Sequence, residues 1–189
     1  MLARLGSGSA SRSLFTGFAC WHRGERADGT DSFAEAIETT WSDLRIGTLT
    51  LAEAEKPVGS RAGMQRTLET SPRYAGWPAR AEVDFELLQR AIVQRDFETL
   101  GATAEANALE MHATMRAAAP PLDFFLPETR THIDRVQPLR AAGLPIYLTI
   151  DAGPNVKLLF QAAHTTEVAA AFPALEIIDP FGASHARTP

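Results

Sequence analysis

Cysteine is almost absent. Cys20 is the only one in 189 residues, so no internal disulfide can form and packing must hold the fold. This usage fits a reducing cytosol. Lysine is nearly as scarce: of 18 basic residues only Lys56 and Lys157 are lysines, against 16 arginines. That bias is the ordinary imprint of a GC-rich genome, and it makes the two lysines stand out. No apolar run is long enough to span a bilayer, and Leu14–Trp21 is too short and interrupted for the apolar core of a secretory signal. The expectation is a soluble, cytoplasmic protein with no membrane partner. A net charge of −5 argues against a broad basic surface, so no nucleic-acid partner is expected. No Walker loop, dinucleotide fingerprint or zinc spacing occurs. The five histidines are scattered, and no metal site built from side-chain clusters is expected. There is no internal repeat.

What remains suffices for one sizeable domain or two small ones, with 45% hydrophobic residues to form a core. Gly6–Ser13 is small and hydroxyl-rich, with Arg4 and Arg12 at its ends. It reads as a loop running into a helix, with Ser7 or Ser9 as cap. Such a start suits an anion, although composition alone fits an ordinary Ser/Gly-rich tail equally well. Leu14, Phe15, Phe18 and Trp21 are expected to lead into packed structure. His22–Asp31 reads as a turn or hairpin tip, and Ile46–Leu51 alternates like a strand. A boundary falls near Thr40–Arg45.

Lys56, Ser60 and Arg61 cluster on a second loop entering a helix, which suits either another anion site or a solvated loop capped by Ser60. That helix stops around Ser71-Pro72. Phe85, Leu88 and Ile92 mark one face of the next helix. Asp96 starts another, with Leu100, Ala104, Ala108, Met111 and Met115 facing inward; Asn107 and His112 are expected to make core or interhelical hydrogen bonds. Ala119-Pro120-Pro121 ends it. A further helix carries Ile133, Val136 and Leu139, and Pro138 should kink or shorten it. Strand Ile146–Ile150 is broken by Asp151-Ala152-Gly153-Pro154-Asn155, after which Val156–Phe160 continues or pairs with it. Thr165–Phe172 is a short helix and Ala174–Ile178 a last strand. Together these predict an α+β sandwich, a small sheet with helices on one face.

Several segments, in order over nearly the whole chain, resemble the landmarks of the diphosphomevalonate decarboxylases of the GHMP kinase superfamily, the bacterial branch more closely. They are Ala3–Ser13, Asp28–Ser32, Trp41–Arg45, Val58–Met64, Glu69–Pro72, Met111–Met115 and Asp151–Lys157. The resemblance implies a GHMP-kinase C-terminal-type α/β sandwich, with an antiparallel sheet and helices on one face. It assigns 1–43 to a remnant of the N-terminal domain, 44–183 to the C-terminal domain and 184–189 to a tail. The implied reaction converts mevalonate 5-diphosphate and ATP, with Mg2+, into isopentenyl diphosphate, CO2, ADP and phosphate. Phosphorylation of the tertiary 3-hydroxyl makes the leaving group.

The same resemblance assigns roles. Asp151 is the catalytic aspartate at the 3-hydroxyl, although apart from the resemblance it reads as a turn or capping residue. Arg12 holds the substrate carboxylate, for which a planar two-pronged donor is suited; its plain alternative is a surface ion pair. Ser7, Gly8 and Ser9 form the diphosphate turn, with Ser60 and Arg61 as a second set of phosphate donors. Ala152 offers its backbone to the substrate. Lys56 lies on the nucleotide side, where Pro57 replaces a frequent second lysine, and Lys157 is left as a solvated or stabilising lysine. A homodimer is implied. Family members carry a substrate segment and an ATP-cradling loop before the first landmark found here. The chain therefore reads as a truncation, a remnant or one half of a split enzyme with a separate N-terminal half. Alternatives are a phosphomevalonate decarboxylase, a mevalonate 3-kinase-like relative, or a non-catalytic fragment.

Overall fold

Glycine and small hydroxyl residues open the structure with a short helix, α1 (Gly8–Arg12). The computed structural model describes residues 8–52 and 58–182. Ala19–Trp21 (β1) then pairs antiparallel with Ala34–Ala36 (β2), so the charged stretch between them is a hairpin loop, as predicted. Asp31 closes that loop by accepting the backbone N–H groups of Glu25 and Arg26. The expectation that the apolar run after α1 enters packed structure holds for Phe18 alone. Its ring meets Trp41 and Phe181, with centroids 6.3 and 5.4 Å away. Leu14 is 69% and Trp21 38% exposed. In so short a strand the two-residue alternation turns Cys20 inward and Trp21 outward. These elements and residues 179–182 belong to one unit, and Asp43–Ile178 makes the other.

The second unit begins with β3 (Leu44–Leu49), two residues ahead of the predicted strand. It continues through α2 (Ser60–Thr70), α3 (Trp77–Gln94), α4 (Phe97–Arg116) and α5 (Pro127–Ala141). Next come β4 (Ile146–Ile150), β5 (Val156–Gln161), α6 (Thr165–Ala171) and β6 (Glu176–Ile178). The sheet order is β4-β5-β3-β6, antiparallel throughout. The architecture is the predicted α+β fold. The register Ile146↔Phe160, Leu148↔Leu158, Ile150↔Val156 and Leu49↔Val156 puts all of these side chains on one face. Val136 of α5, and Val168 and Phe172 at α6, close over that face. Such side chains each contribute roughly 1.5–3 kcal/mol on burial.

Helix α4 runs along the outer edge of β4. Phe97, Gly101, Glu105, Ala108 and His112 recur at helical spacing, and all but Glu105 are buried. Phe97 meets the Tyr147 ring edge-on at 5.7 Å, and Gly101 lies against the same ring. Glu105 Oε2 accepts the outward N–H of Leu148 at 3.0 Å and pairs with Arg140 at 2.5 Å, while Arg140 Nε donates to the Ile146 carbonyl at 2.9 Å. From Gly101 to His112 the helix rises about 16 Å, and Tyr147 to Asp151 spans about 13 Å of strand, so the two elements keep pace.

Asp96 caps α4 as predicted, accepting the Thr99 N–H at 3.1 Å and its hydroxyl at 2.6 Å. The inner face of α4 is broader than predicted. Leu100, Ala108 and Met115 are buried, but so are Gly101 and His112, while Ala104 and Met111 are half-buried. On α3 the buried face is rotated by one residue. Phe85 is 38% exposed and Asp84 is 2% exposed. A carboxylate can occupy that place because Arg80 donates to it at 2.8 Å and Asn107 of α4 at 2.9 Å. Asn107 is thus an interhelical hydrogen-bonding residue. Pro138 does not shorten α5, which continues to Ala141; the lost N–H falls near its last turn.

A Cβ at Gly101 would stand 2.1 Å from the Tyr147 ring. Gly101→Ala is expected to lower stability by roughly 1–3 kcal/mol in urea unfolding, through overpacking. An unchanged midpoint would mean that α4 and β4 are not locked at this contact.

Candidate functional site

The turn between β4 and β5 carries Asp151. Its backbone is fixed from several sides. The Asp151 carbonyl accepts the Gly153 N–H at 2.6 Å and lies 3.0 Å from Nε2 of His112. Because the acceptor is a carbonyl, that ring nitrogen is the donor. The Thr129 hydroxyl, buried in the first turn of α5, donates to the Pro154 carbonyl at 2.8 Å. Asn155 Oδ1 accepts the N–H groups of Leu51 at 2.9 Å and Ala52 at 3.1 Å, tying the far end of the turn to the chain leaving β3.

The Asp151 side chain, by contrast, is 86% exposed and forms an ion pair with Lys157 of β5. Lys157, expected to be a solvated or stabilising lysine, is thus the ion-pair partner of Asp151. A carboxylate presented to solvent on a clamped backbone can orient a hydroxyl or accept its proton.

His112 is fully buried. Its ring lies 4.3 Å from that of Phe125 and 6.5 Å from that of Phe124. Burial is the largest influence on the ring and pushes its pKa below the ordinary 6.5. The Asp151 carbonyl works the other way; Arg116 lowers the value further, and Asp123 and Asp151 raise it. Phe125 also receives the guanidinium groups of Arg116 and Arg130, 5.3 and 5.5 Å from its centroid.

Of the other predicted residues, Ser60 opens α2 and is exposed; the cap position is Gly59, with no side-chain cap hydrogen bond. Ser60 is therefore not the cap. Arg61 follows on the exposed face and lines a cavity of about 320 Å³ with Met64, Leu68, Trp77, Met111 and Met115. Gly63 packs on Leu122 and Phe124. The last turns of α4 thus hold both features: Met111 and Met115 face Arg61, and His112 holds the Asp151 turn. Ala152 is half-buried beside Asp151. Gly8 and Ser9 open α1, and Arg12 ends it, exposed. Arg12 belongs to the first unit, and Asp151, Ser60 and Arg61 to the second. Ser7 and Lys56 lie outside the described residues, as does Pro57.

Of the three turn-holding residues, His112 was expected to make a core or interhelical hydrogen bond and makes a core one, but nothing local says that its partner is the Asp151 turn; the other two escaped the sequence reading. Asn155 lay inside the recognised motif without a role. Thr129 carried no signal.

The mevalonate 5-diphosphate decarboxylase C-terminal domain family matches residues 48–180. The chain belongs to the diphosphomevalonate decarboxylase family. A second match, to the diphosphomevalonate decarboxylase-like N-terminal domain, covers residues 1–34. The Bos taurus diphosphomevalonate decarboxylase is 38% identical over 160 residues, 82% of this chain and 40% of the bovine one. The mevalonate diphosphate decarboxylase structure from Enterococcus faecalis is 40% identical with a TM-score of 0.84, covering 93% of this chain and 55% of that one. The enzyme from Staphylococcus aureus is 36% identical with a TM-score of 0.86, covering 94% and 56%. The chain spans about half the length of the family members it matches.

Both His112 and His132 have pKa values held below 6.5, in each case mainly by burial. Below that pH the unfolded chain binds protons that the fold resists, so stability is full above about pH 6.5 and falls as pH drops towards the folded values. Thermal unfolding from pH 7.5 to 5.5 is expected to show a declining midpoint, and His112→Gln should flatten the decline. A midpoint independent of pH in this range would contradict pKa values lowered at these two imidazoles.

Proposed function

We propose that the chain serves the ATP-dependent decarboxylation of mevalonate 5-diphosphate to isopentenyl diphosphate. The observation that carries this reading is the exposed Asp151 carboxylate on a clamped turn, in a chain whose family is that of the decarboxylases. Asp151 orients the 3-hydroxyl of the substrate and takes its proton as ATP phosphorylates it. Arg12 binds the substrate carboxylate. Ser7, Gly8 and Ser9, with Ser60 and Arg61, bind the diphosphate; Ala152 contributes backbone contacts, and Lys56 serves the nucleotide side. The exposed start of α2 supports the phosphate role of Ser60 and Arg61, because the dipole of a helix favours an anion at its N-terminus.

ATP with Mg2+ is the proposed co-substrate. A related solved structure, 41% identical with a TM-score of 0.86, is described as MDDEF in complex with MVAPP, AMPPCP and magnesium. The nucleotide chemistry supplies a phosphoryl group that turns the hydroxyl into a leaving group. This chain's residues bind, orient and move the proton. The protein is proposed to act in the cytoplasm as a homodimer, alone or with a separate N-terminal half.

The test is phosphate and CO2 release from ATP and mevalonate 5-diphosphate, measured for the chain alone and with a family N-terminal segment supplied. Turnover in either form is the expected result, and none in both would overturn the reading. Phosphate transfer without CO2 release would point to a 3-kinase instead. In the active form, Asp151→Asn and Arg12→Lys are each expected to lower kcat roughly 100-fold or more with a smaller change in KM, as for groups that act mainly in the transition state. Unchanged kcat in both would remove these assignments.

A further inference from the structure

We infer that His112 is the positioning residue for Asp151: through its Nε2–H bond to the Asp151 carbonyl it sets the direction in which that carboxylate leaves the turn. The functional half of this inference rests on the proposed role of Asp151; the geometric half does not.

The argument starts from helix spacing. His112 is the last member of the α4 stripe that meets β4, one turn beyond Ala108 and beyond the point where Glu105 has taken the Leu148 N–H. The strand therefore ends opposite a buried donor. The ring itself has little freedom. It is fully buried, with Phe125 at 4.3 Å and Phe124 at 6.5 Å. The bond is made to the backbone of Asp151, while the Asp151 side chain is exposed and pairs with Lys157 on the neighbouring strand. One side of the residue is fixed by α4 and the other is left to interact. Thr129 and Asn155 hold the later part of the turn, so His112 alone among these three acts at Asp151.

The charged and titratable groups around the ring are Arg116 on its own helix, Asp123 on the segment after α4, and Asp151 itself. Arg116 opposes a proton on the ring, and the two carboxylates favour one. A neutral ring donating from Nε2 is the state that satisfies the carbonyl without placing a second cation beside Arg116.

Hydrogen exchange on the 189-residue chain tests the positioning directly. His112→Leu removes the donor and keeps comparable bulk; His112→Met is a second donor-free variant, and His112→Gln retains a donor. In the donor-free variants the Gly153 amide is expected to exchange about tenfold faster, while the central amides of β5 keep their protection. His112→Gln should restore most of the protection. Gly153 protection equal to wild type in a donor-free variant with intact β5 would overturn the inference. So would equal loss at Gly153 and throughout β5 in both donor-free variants, which would make His112 a packing residue only.

In the form that turns over mevalonate 5-diphosphate, the donor-free variants should lose roughly 10- to 100-fold in kcat with KM little changed, as expected for a misdirected reacting group. His112→Gln should recover much of the loss, and unaltered kcat in folded donor-free variants would overturn the catalytic part. If no form turns over, the decarboxylase reading falls, and the exchange data still decide whether His112 sets the turn.

Discussion

The contact on which the second unit depends is α4 laid along the outer edge of β4. One helical stripe makes four different interactions in succession: an aromatic edge at Phe97, close backbone approach at Gly101, a carboxylate at Glu105 and an imidazole at His112. Each suits what the strand offers at that height: the Tyr147 ring, an outward N–H and then a carbonyl. The match is possible because rise per residue and residue spacing differ between helix and strand by compensating amounts. It also means that displacing the helix would move the edge strand and the turn after it together.

The turn separates two requirements that usually conflict. The carboxylate proposed to react needs a fixed origin, and it also needs access. Here the fixing is done entirely through backbone carbonyls and through Asn155, while the Asp151 carboxylate stays in solvent beside Lys157. The start of α2 has the same character. Gly63 is buried against Leu122 and Phe124, and Ser60 and Arg61 lie on the exposed side. Met111 and Met115 share a cavity lining with Arg61, and His112 between them bonds the Asp151 turn, so both features meet the end of α4.

The layout of the second unit was largely legible in the sequence. Alternation marked β3, apolar runs marked β4 and β5, and Asp96 marked the start of α4, because these signals are local. The errors came where a tertiary partner decides. Asp84 took the buried place that periodicity gave to Phe85, because Arg80 and Asn107 satisfy its carboxylate. Trp21 faces out because it alternates with the buried Cys20 along β1. At the site, Asp151, Ser60 and Arg61 stood out through family likeness, and Lys157 found its partner only in three dimensions. His112 and Thr129 act across 39 and 25 residues of sequence, a distance over which no local pattern carries information.

The Arg140–Glu105 pair has a consequence for assembly. An edge strand offers unpaired N–H and C=O groups that invite another strand to dock, and proteins commonly blunt such edges. On β4 the outward Leu148 N–H and Ile146 carbonyl are already engaged by side chains of opposite charge from α4 and α5. The pair behaves as a two-residue mimic of a neighbouring strand. Glu105 and Arg140, which hold the helices in place, thereby also withdraw two of the β4 backbone groups that another strand would pair with.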